Sequence, residues 1–232
     1  MKVSSGRLIV LIFMIGLVAV TAKAGRDDFS IDTTATYQLA SGSGSPGEVE
    51  LTWNNEGYVT GNCTEWGGRA IQGDSFLDGA LEVKLRVLET FDQWASAGIS
   101  IRGTITQLDL WPGVGIAPSR PAFWSGWDGG SVQIIQQNNL PIPLELNKWY
   151  IIKVDIAGDT LKAKYWEDGA GEPADWQIDS NIPAQFPTDP GGVGLLIQQC
   201  TVDFDYIEAP IISAAVDAEG KLATKWGELK KY

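Results

Sequence analysis

The stretch Gly79-Ala80-Leu81-Glu82-Val83-Lys84-Leu85-Arg86-Val87 decides the fold of this 232-residue chain. Its apolar residues Leu81, Val83, Leu85 and Val87 alternate with charged residues, a period of two that predicts a β-strand with one buried face. The same alternation returns at 48–53, 98–102, 131–136, 149–156, 160–166, 192–198 and 202–206. Clusters of Gly, Pro, Asn and Asp separate these segments, and no helical pattern alternates with them. The sequence therefore predicts an all-β fold of two packed antiparallel sheets.

In two of these strands the alternation predicts the direction of particular side chains. In the segment 98–102, Ile99 and Ile101 are expected to point into the core, which places Ser100 and Arg102 on the opposite face. In the last strand, the expected inward set is Val202, Phe204 and Tyr206.

The N-terminus has the three parts of an export signal. Lys2 and Arg7 supply positive charge, residues 8–20 form an apolar run, and Ala22-Lys23-Ala24 fits the small-x-small pattern that signal peptidase recognises. The apolar run has 13 residues, whereas a membrane span needs roughly 20. A cleaved signal peptide is therefore expected, and an uncleaved anchor is the alternative.

Cleavage defines the expected domain organisation. We expect residues 1–24 to be the signal peptide, residues 25–210 to form one β-sandwich domain, and residues 211–232 to form a short C-terminal tail. The domain is then secreted, periplasmic or on the cell surface, with no transmembrane segment after signal cleavage.

Charge and composition exclude several classes of function. Three of the 17 basic residues and none of the 29 acidic ones lie in the signal, so the mature chain carries a formal charge of −15. This field repels nucleic acids, whose binding requires neutralised phosphates. The chain has no histidine, which excludes Ser-His-Asp and Cys-His nucleophiles and His-ligated zinc.

The only two cysteines are Cys63 and Cys200. An even pair in an exported protein suggests one disulfide. Two free buried thiols are the alternative.

Several short motifs occur in a characteristic order along the mature chain. They are Asp27-Asp28-Phe29-Ser30, Ala97-Gly98-Ile99-Ser100-Ile101-Arg102, Asn147-Lys148-Trp149-Tyr150, Gly158-Asp159-Thr160-Leu161, Gly192-Val193-Gly194-Leu195 and Val202-Asp203-Phe204-Asp205-Tyr206-Ile207. In that order they resemble the concanavalin A-like lectin/glucanase superfamily, in the laminin-G-like style of bacterial exported domains, over roughly residues 27–209. The resemblance implies a jelly-roll sandwich whose first and last strands pair and whose concave sheet binds sugars.

The resemblance also implies a possible calcium site, because some members hold calcium between loops near the chain ends. Pairing of the first and last strands would bring Asp28 near Asp205, and Asp27 and Asp203 could add hard oxygen ligands. The alternative is that these acids only face solvent.

Tryptophan and arginine supply the candidate ligand-binding residues. Trp111, Trp124 and Trp127 lie in a Gly/Pro-rich region, and flat aromatic faces of this kind stack on sugar rings. Arg102 could hydrogen-bond sugar hydroxyls or a uronate carboxylate, and a structural ion pair is the alternative. A third group, Trp53, Trp149 and Trp166, is expected in the core.

The sequence favours a binding module over an enzyme. Retaining glycosidases of the resembled superfamily carry catalytic carboxylates in a Glu-x-Asp-x-Glu or Glu-x-Asp-x-x-Glu pattern, and neither pattern occurs here. The segment Ala95-Ser96-Ala97-Gly98 also lacks the asparagine of the 3-keto-disaccharide hydrolase-like domains. We therefore expect a non-catalytic, lectin-like module with a glycan partner. A hydrolase of the 3-keto-disaccharide type and a structural or adhesive surface module are the alternatives.

Overall fold

The computed structural model describes residues 25–41, 48–104, 113–117, 123–127, 132–137, 144–184 and 186–210. Its strands are β1 (Gly25–Asp27), β2 (Gln38–Ala40), β3 (Val49–Trp53), β4 (Val59–Cys63), β5 (Arg69–Phe76), β6 (Gly79–Thr90), β7 (Ser96–Gly103), β8 (Gly113–Ile116), β9 (Phe123–Trp127), β10 (Val132–Gln137), β11 (Tyr150–Ala157), β12 (Thr160–Glu167), β13 (Ile178–Asn181), β14 (Gly191–Gln198) and β15 (Cys200–Ala209). One 3₁₀ turn, Thr34–Thr36, follows β1. The expected signal peptide and C-terminal tail lie outside the described residues. Among the helices of this described part, none has the length and apolar character that a membrane crossing requires.

The strands form two antiparallel sheets. The first sheet has eight strands in the order β13-β12-β11-β6-β15-β4-β3, with β1 pairing on β15. The second has seven strands in the order β10-β9-β8-β7-β14-β5-β2. Several neighbours in these orders are distant in sequence, as expected when the chain crosses between the two sheets of a sandwich. The predicted all-β jelly-roll class is confirmed.

The core lies between the sheets and is built by the alternation that the sequence displays. In β6, Leu81, Val83, Leu85 and Val87 are at most 1% exposed. The residues between them, Glu82, Lys84 and Arg86, lie on the outer face of the eight-stranded sheet and are half-buried. In β7, Ile99 and Ile101 belong to the core, as predicted. Burying such side chains supplies the main driving force for folding, about 25 cal/mol for each Å² of apolar surface.

The chain ends meet as the superfamily resemblance implied. Strand β1 pairs antiparallel with β15, and Asp27 lies opposite Ile207. Asp27 is 1% exposed, and its carboxylate accepts hydrogen bonds from the Thr33 and Tyr37 hydroxyls and from the Phe29 amide. Burial nevertheless raises the pKa of Asp27 above its usual range. This acid therefore organises the N-terminal turn against the last strand.

One predicted core residue of β15 lies on the outer face instead. The pairing register of β15 with β6 shifts between Phe204 and Tyr206, and this irregularity changes the phase of the alternation. Ile207 joins the core in place of Tyr206. The Tyr206 hydroxyl donates to Glu82 at 2.6 Å, and Arg26 lies 3.6 Å from the centre of its ring.

The three tryptophans expected in the core lie in different environments. Trp53 packs against the core and donates from Nε1 to the Phe29 carbonyl oxygen at 2.8 Å. Trp149 is half-buried outside the core, with the Arg86 guanidinium 4.7 Å from its ring centre. Trp166 is 6% exposed but lies outside the inter-sheet core. Trp166 is thus buried, but on the outer side of the eight-stranded sheet, in a row with half-buried Ile151 and Lys84. The prediction fails for Trp149, whose ring lies beside the outward-facing Lys84 and Arg86.

The predicted disulfide is not formed. Cys63 and Cys200 lie directly opposite each other in the pairing of β4 with β15, yet both are free, buried thiols. The Sγ atom of Cys63 lies 3.3 Å from the Glu65 carbonyl oxygen, and that of Cys200 lies 3.5 Å from the Ser96 carbonyl oxygen. Each sulfur thus has a different backbone partner. Burial raises the pKa of both thiols, which lowers their reactivity.

Candidate functional site

An open groove of about 450 Å³ lies on the seven-stranded sheet. Its lining includes Gln38 of β2, Ile71, Gly73 and Asp74 of β5, Gly192 of β14 and Thr104 just after β7. Ile71 pairs with Gln38 on one side and Gly194 on the other, and none of the three belongs to the inter-sheet core. The groove therefore opens on the outer face of this sheet. Its volume falls in the range of about 300–1,000 Å³ that is typical of small-ligand sites.

The sheet backbone forms much of the groove floor. A Cβ atom added at Gly192 would lie 2.1 Å from Cγ2 of Ile71 and 2.8 Å from the carbonyl oxygen of Gly73. A larger residue at Gly192 would therefore force the floor apart. The glycine lets β14 and β5 approach closely and leaves a low surface on which a ligand can rest.

Polar side chains stand at the edge of the groove. Gln38 and Asp74 are exposed, and neither makes a hydrogen bond or ion pair with another described side chain. Asp74 is the one carboxylate among the described lining residues. An amide and a carboxylate with free hydrogen-bonding capacity suit a ligand rich in hydroxyl groups.

A buried hydroxyl without a partner lies beside the floor. Ser100 is 0% exposed, and its Oγ atom makes no hydrogen bond. It shares a row with Gly194 and Ile71, and it lies 3.0 Å from the position that a Cβ atom of Gly103 would occupy. Because Gly103 and Ile71 both line the groove, this unsatisfied hydroxyl borders the groove.

A second unsatisfied group, Arg69, is hydrogen-bonded to Thr104 of the groove lining. The side chain is 0% exposed; Nη1 donates to the Gly67 carbonyl oxygen at 2.9 Å and Nη2 to that of Thr104 at 3.2 Å. Its Nε atom has no partner. Burial lowers the pKa of Arg69 to about 10, so the guanidinium is a cation at neutral pH.

Sequence reasoning missed Arg69 altogether. The one available signal is an arginine next to Ala70 and Ile71, with Gly67 and Gly68 before it. A charged residue in such an apolar stretch is a candidate for burial with a function. The alternation in this segment is too irregular to identify a strand.

Arg102, the arginine that the sequence did single out, joins separate parts of the sandwich. It is 1% exposed and donates from Nε to Leu77 O at 2.9 Å and from Nη2 to Gly158 O at 2.8 Å and Asp78 Oδ1 at 3.1 Å. A longer hydrogen bond of 3.4 Å joins Nη1 to Pro187 O. The structure thus favours the alternative interpretation of Arg102, a structural ion pair.

The predicted aromatic site falls largely outside what the structure describes. Trp111 lies outside the described residues. Trp124 pairs with Val114 of β8, and Trp127 pairs with Val132 of β10. Their role in ligand binding stays a prediction.

The acids of the predicted calcium site each have a partner in the protein. The Asp28 carboxylate accepts the Ser30 amide at 3.1 Å, and this hydrogen bonding lowers the pKa of Asp28. Asp205 pairs with Lys84 at 3.2 Å, and Asp203 with Arg86 at 2.8 Å. Within the described residues, no three His, Cys, Asp or Glu side chains are grouped so that they could hold a metal ion. Calcium binding stays a prediction of the sequence.

Solved structures of low sequence identity share this architecture. The carbohydrate binding module CBM66 from Bacillus subtilis is 15% identical with a TM-score of 0.56, and the alignment covers 75% of this chain and 94% of that one. The Bacillus licheniformis β-glucanase is 12% identical with a TM-score of 0.55, covering 82% and 98%. The xylan β-1,4-xylosidase from Bacillus halodurans C-125 is 17% identical with a TM-score of 0.55, covering 79% of this chain but only 38% of the enzyme.

Sequence comparison adds nothing further. No protein-family model matches the chain, and no curated protein matches it. At these identities the structural likeness establishes the architecture alone. The chain therefore has the concanavalin A-like jelly-roll fold that its motifs predicted.

Proposed function

We propose that this protein is a non-catalytic carbohydrate-binding module and that the groove on its seven-stranded sheet holds the sugar. The observation that carries the proposal is the groove itself, with a volume of about 450 Å³, a backbone floor and unpartnered polar side chains at its edge. Sugars present many hydroxyl groups on small rings, and they need such closely spaced hydrogen-bonding groups on an accessible surface. The fold shared with a carbohydrate binding module and with glycosidases agrees with a glycan partner.

The single carboxylate among the described lining residues of the groove supports binding rather than hydrolysis. Glycosidases use two carboxyl groups, about 5–5.5 Å apart when the anomeric configuration is retained and about 6.5–9.5 Å apart when it is inverted. Among the described lining residues, Asp74 has no second carboxylate with which to form such a pair. A single acid can orient a sugar through hydrogen bonds with its hydroxyl groups.

The test is polysaccharide retention measured by affinity electrophoresis and confirmed by calorimetry. The double variant Gln38→Ala/Asp74→Ala removes both unpartnered side chains from the groove edge. We expect its affinity for the retained glycan to fall by about tenfold or more, because each hydrogen bond contributes about 0.5–1.5 kcal/mol and one to a charged group contributes more. Glu50→Ala, which removes an exposed acid from β3 on the other sheet, is the matched control.

Three results would contradict the proposal. If no polysaccharide in a broad panel is retained, the groove is not a glycan site. If the purified protein releases reducing sugar and Asp74→Asn abolishes that release, the protein is a hydrolase instead. A glycan that binds the double variant as tightly as the wild type must bind elsewhere on the sandwich.

A further inference from the structure

Arg69 differs from every other described cation in having no carboxylate partner. The remaining lysine and arginine side chains of the described residues all lie within 4.0 Å of an acid. Most of these pairs lie on or beside the eight-stranded sheet. Arg69 lies on the seven-stranded sheet, and it is 0% exposed. A buried charge without a counter-ion costs several kcal/mol, so its retention needs an explanation.

The unpartnered Nε of Arg69 and its neighbour Nη2 lie along one edge of the guanidinium. Nε and Nη2 form the side-on edge, whose two parallel N–H bonds match the two oxygens of a carboxylate. Nε is unpartnered, and Nη2 has only the Thr104 carbonyl, at 3.2 Å. Nη1, on the opposite edge, is anchored more closely to Gly67 at 2.9 Å. The arrangement holds the side chain while leaving its carboxylate-binding edge poorly satisfied.

Two residues close to Arg69 line the groove. Thr104, which accepts from Nη2, lines the groove, as does Ile71, two residues along β5. The unpartnered Ser100 hydroxyl lies on the same outer face, two strands away. On β14, which lies between them, Gly194 is opposite Ser100 and the buried Leu196 is opposite Arg69. The two unsatisfied donors therefore lie on the same face of the sheet but in different rows, and Arg69 is connected to the groove through Thr104.

We propose that Arg69 is an anion subsite that binds the carboxylate of a uronic acid residue in the glycan. This inference rests on the proposed carbohydrate-binding function and specifies its substrate class, acidic polysaccharides. The carboxylate takes the Nε donor and the position on Nη2 that the Thr104 carbonyl now holds. The net charge of the mature chain, −15, repels polyanions in general. The buried Arg69 guanidinium would therefore select a glycan whose carboxylate lies at this one position.

The test compares each acidic polysaccharide with its own carboxyl-reduced form, which keeps the backbone and removes the charge. Polygalacturonate, alginate and glucuronoxylan, each with its reduced counterpart, serve as probes in affinity electrophoresis. We expect at least one acidic form to bind wild-type protein about 10- to 100-fold more tightly than its reduced form, the range for charged hydrogen bonds. In Arg69→Met this ratio should fall to about one, and Arg69→Lys should recover only part of it because lysine lacks the fork.

The control variant and the possible results distinguish failure of the anion subsite from failure of the proposed function. Arg26→Met makes the same change in net charge on β1 of the other sheet and should leave the ratio unchanged. Equal binding of acidic and reduced forms, or a preference that survives Arg69→Met, overturns the inference while leaving the proposed function intact. Failure of every acidic and reduced polymer to bind overturns both. A thermal melt of each variant verifies that it is folded.

Discussion

Two arginines are buried among the residues that the structure describes, and they differ in what surrounds them. Arg102 is 1% exposed, with three carbonyl oxygens and the Asp78 carboxylate around its guanidinium. Arg69 is 0% exposed, with two carbonyl oxygens, no carboxylate and an unpartnered Nε. Both lie on strands of the same sheet. Burial alone therefore does not identify a binding residue, whereas the partners of each donor do.

The difference has a structural origin. Arg102 lies near the end of β7, where its backbone φ of +50° turns the strand. There its side chain reaches the link before β6 and the turn at Gly158 between β11 and β12, so its hydrogen bonds join the two sheets at one edge of the sandwich. Arg69 begins β5 and reaches only Gly67 and Thr104, which lie in segments next to its own sheet. We interpret Arg102 as a structural residue and Arg69 as a ligand-binding one.

Arg102→Met should produce the largest effect on stability. It removes a buried cation with its whole set of hydrogen bonds and leaves the Leu77 and Gly158 carbonyl oxygens without their donor. Leaving a buried acceptor without its donor costs about 1–3 kcal/mol, so the two carbonyl oxygens together should cost about 2–6 kcal/mol. We expect urea unfolding to show a loss of that size in the free energy of unfolding.

The control for this loss is Asp78→Asn, which keeps Arg102 and its hydrogen bonds to carbonyl oxygens. Its loss should be smaller, because the Asp78 side chain is 47% exposed and the asparagine oxygen can still accept a hydrogen bond. Arg102→Met with an unchanged midpoint and slope of unfolding would show that Arg102 is not a structural residue.

Arg69→Met should have a much smaller effect, with either no change or a gain in stability. Replacing a buried, uncompensated charge by an apolar side chain of similar length removes its desolvation penalty, and even whole buried ion pairs can often be replaced by apolar residues without loss of stability. This gain is opposed because the carbonyl oxygens of Gly67 and Thr104 no longer have the guanidinium as their donor. Urea unfolding measures the balance. A destabilisation as large as that of Arg102→Met would show that Arg69 is structural and would remove the contrast between the two residues.

The sequence could predict the regular strands but not the different roles of Arg69 and Arg102. The alternation in β6 reports directly which side chains face the core, and Ile99 and Ile101 lie where their spacing places them. The roles of Arg69 and Arg102 depend on hydrogen bonds with residues 35 and 56 positions away, which no local pattern records. Tyr206 was misplaced for a related reason, because a shift in pairing with β6 is invisible in the strand itself.

Unfolding at alkaline pH tests specifically whether Arg69 is an uncompensated buried charge. Its expected effect is the smallest of those described. Burial lowers the pKa of Arg69 from 12.5 to about 10, so between these values the unfolded chain binds more protons than the folded one. The free energy of unfolding attributable to Arg69 therefore rises with pH above about 10, by about 1 kcal/mol between pH 9 and pH 11. Buried tyrosines act in the opposite direction, since burial raises the pKa of Tyr165 to about 12. The quantity to measure is thus the difference between wild type and Arg69→Met, in which the tyrosine contributions cancel. If that difference is constant from pH 9 to pH 11, the guanidinium is better solvated than its burial indicates, and the physical argument for an anion subsite loses its basis.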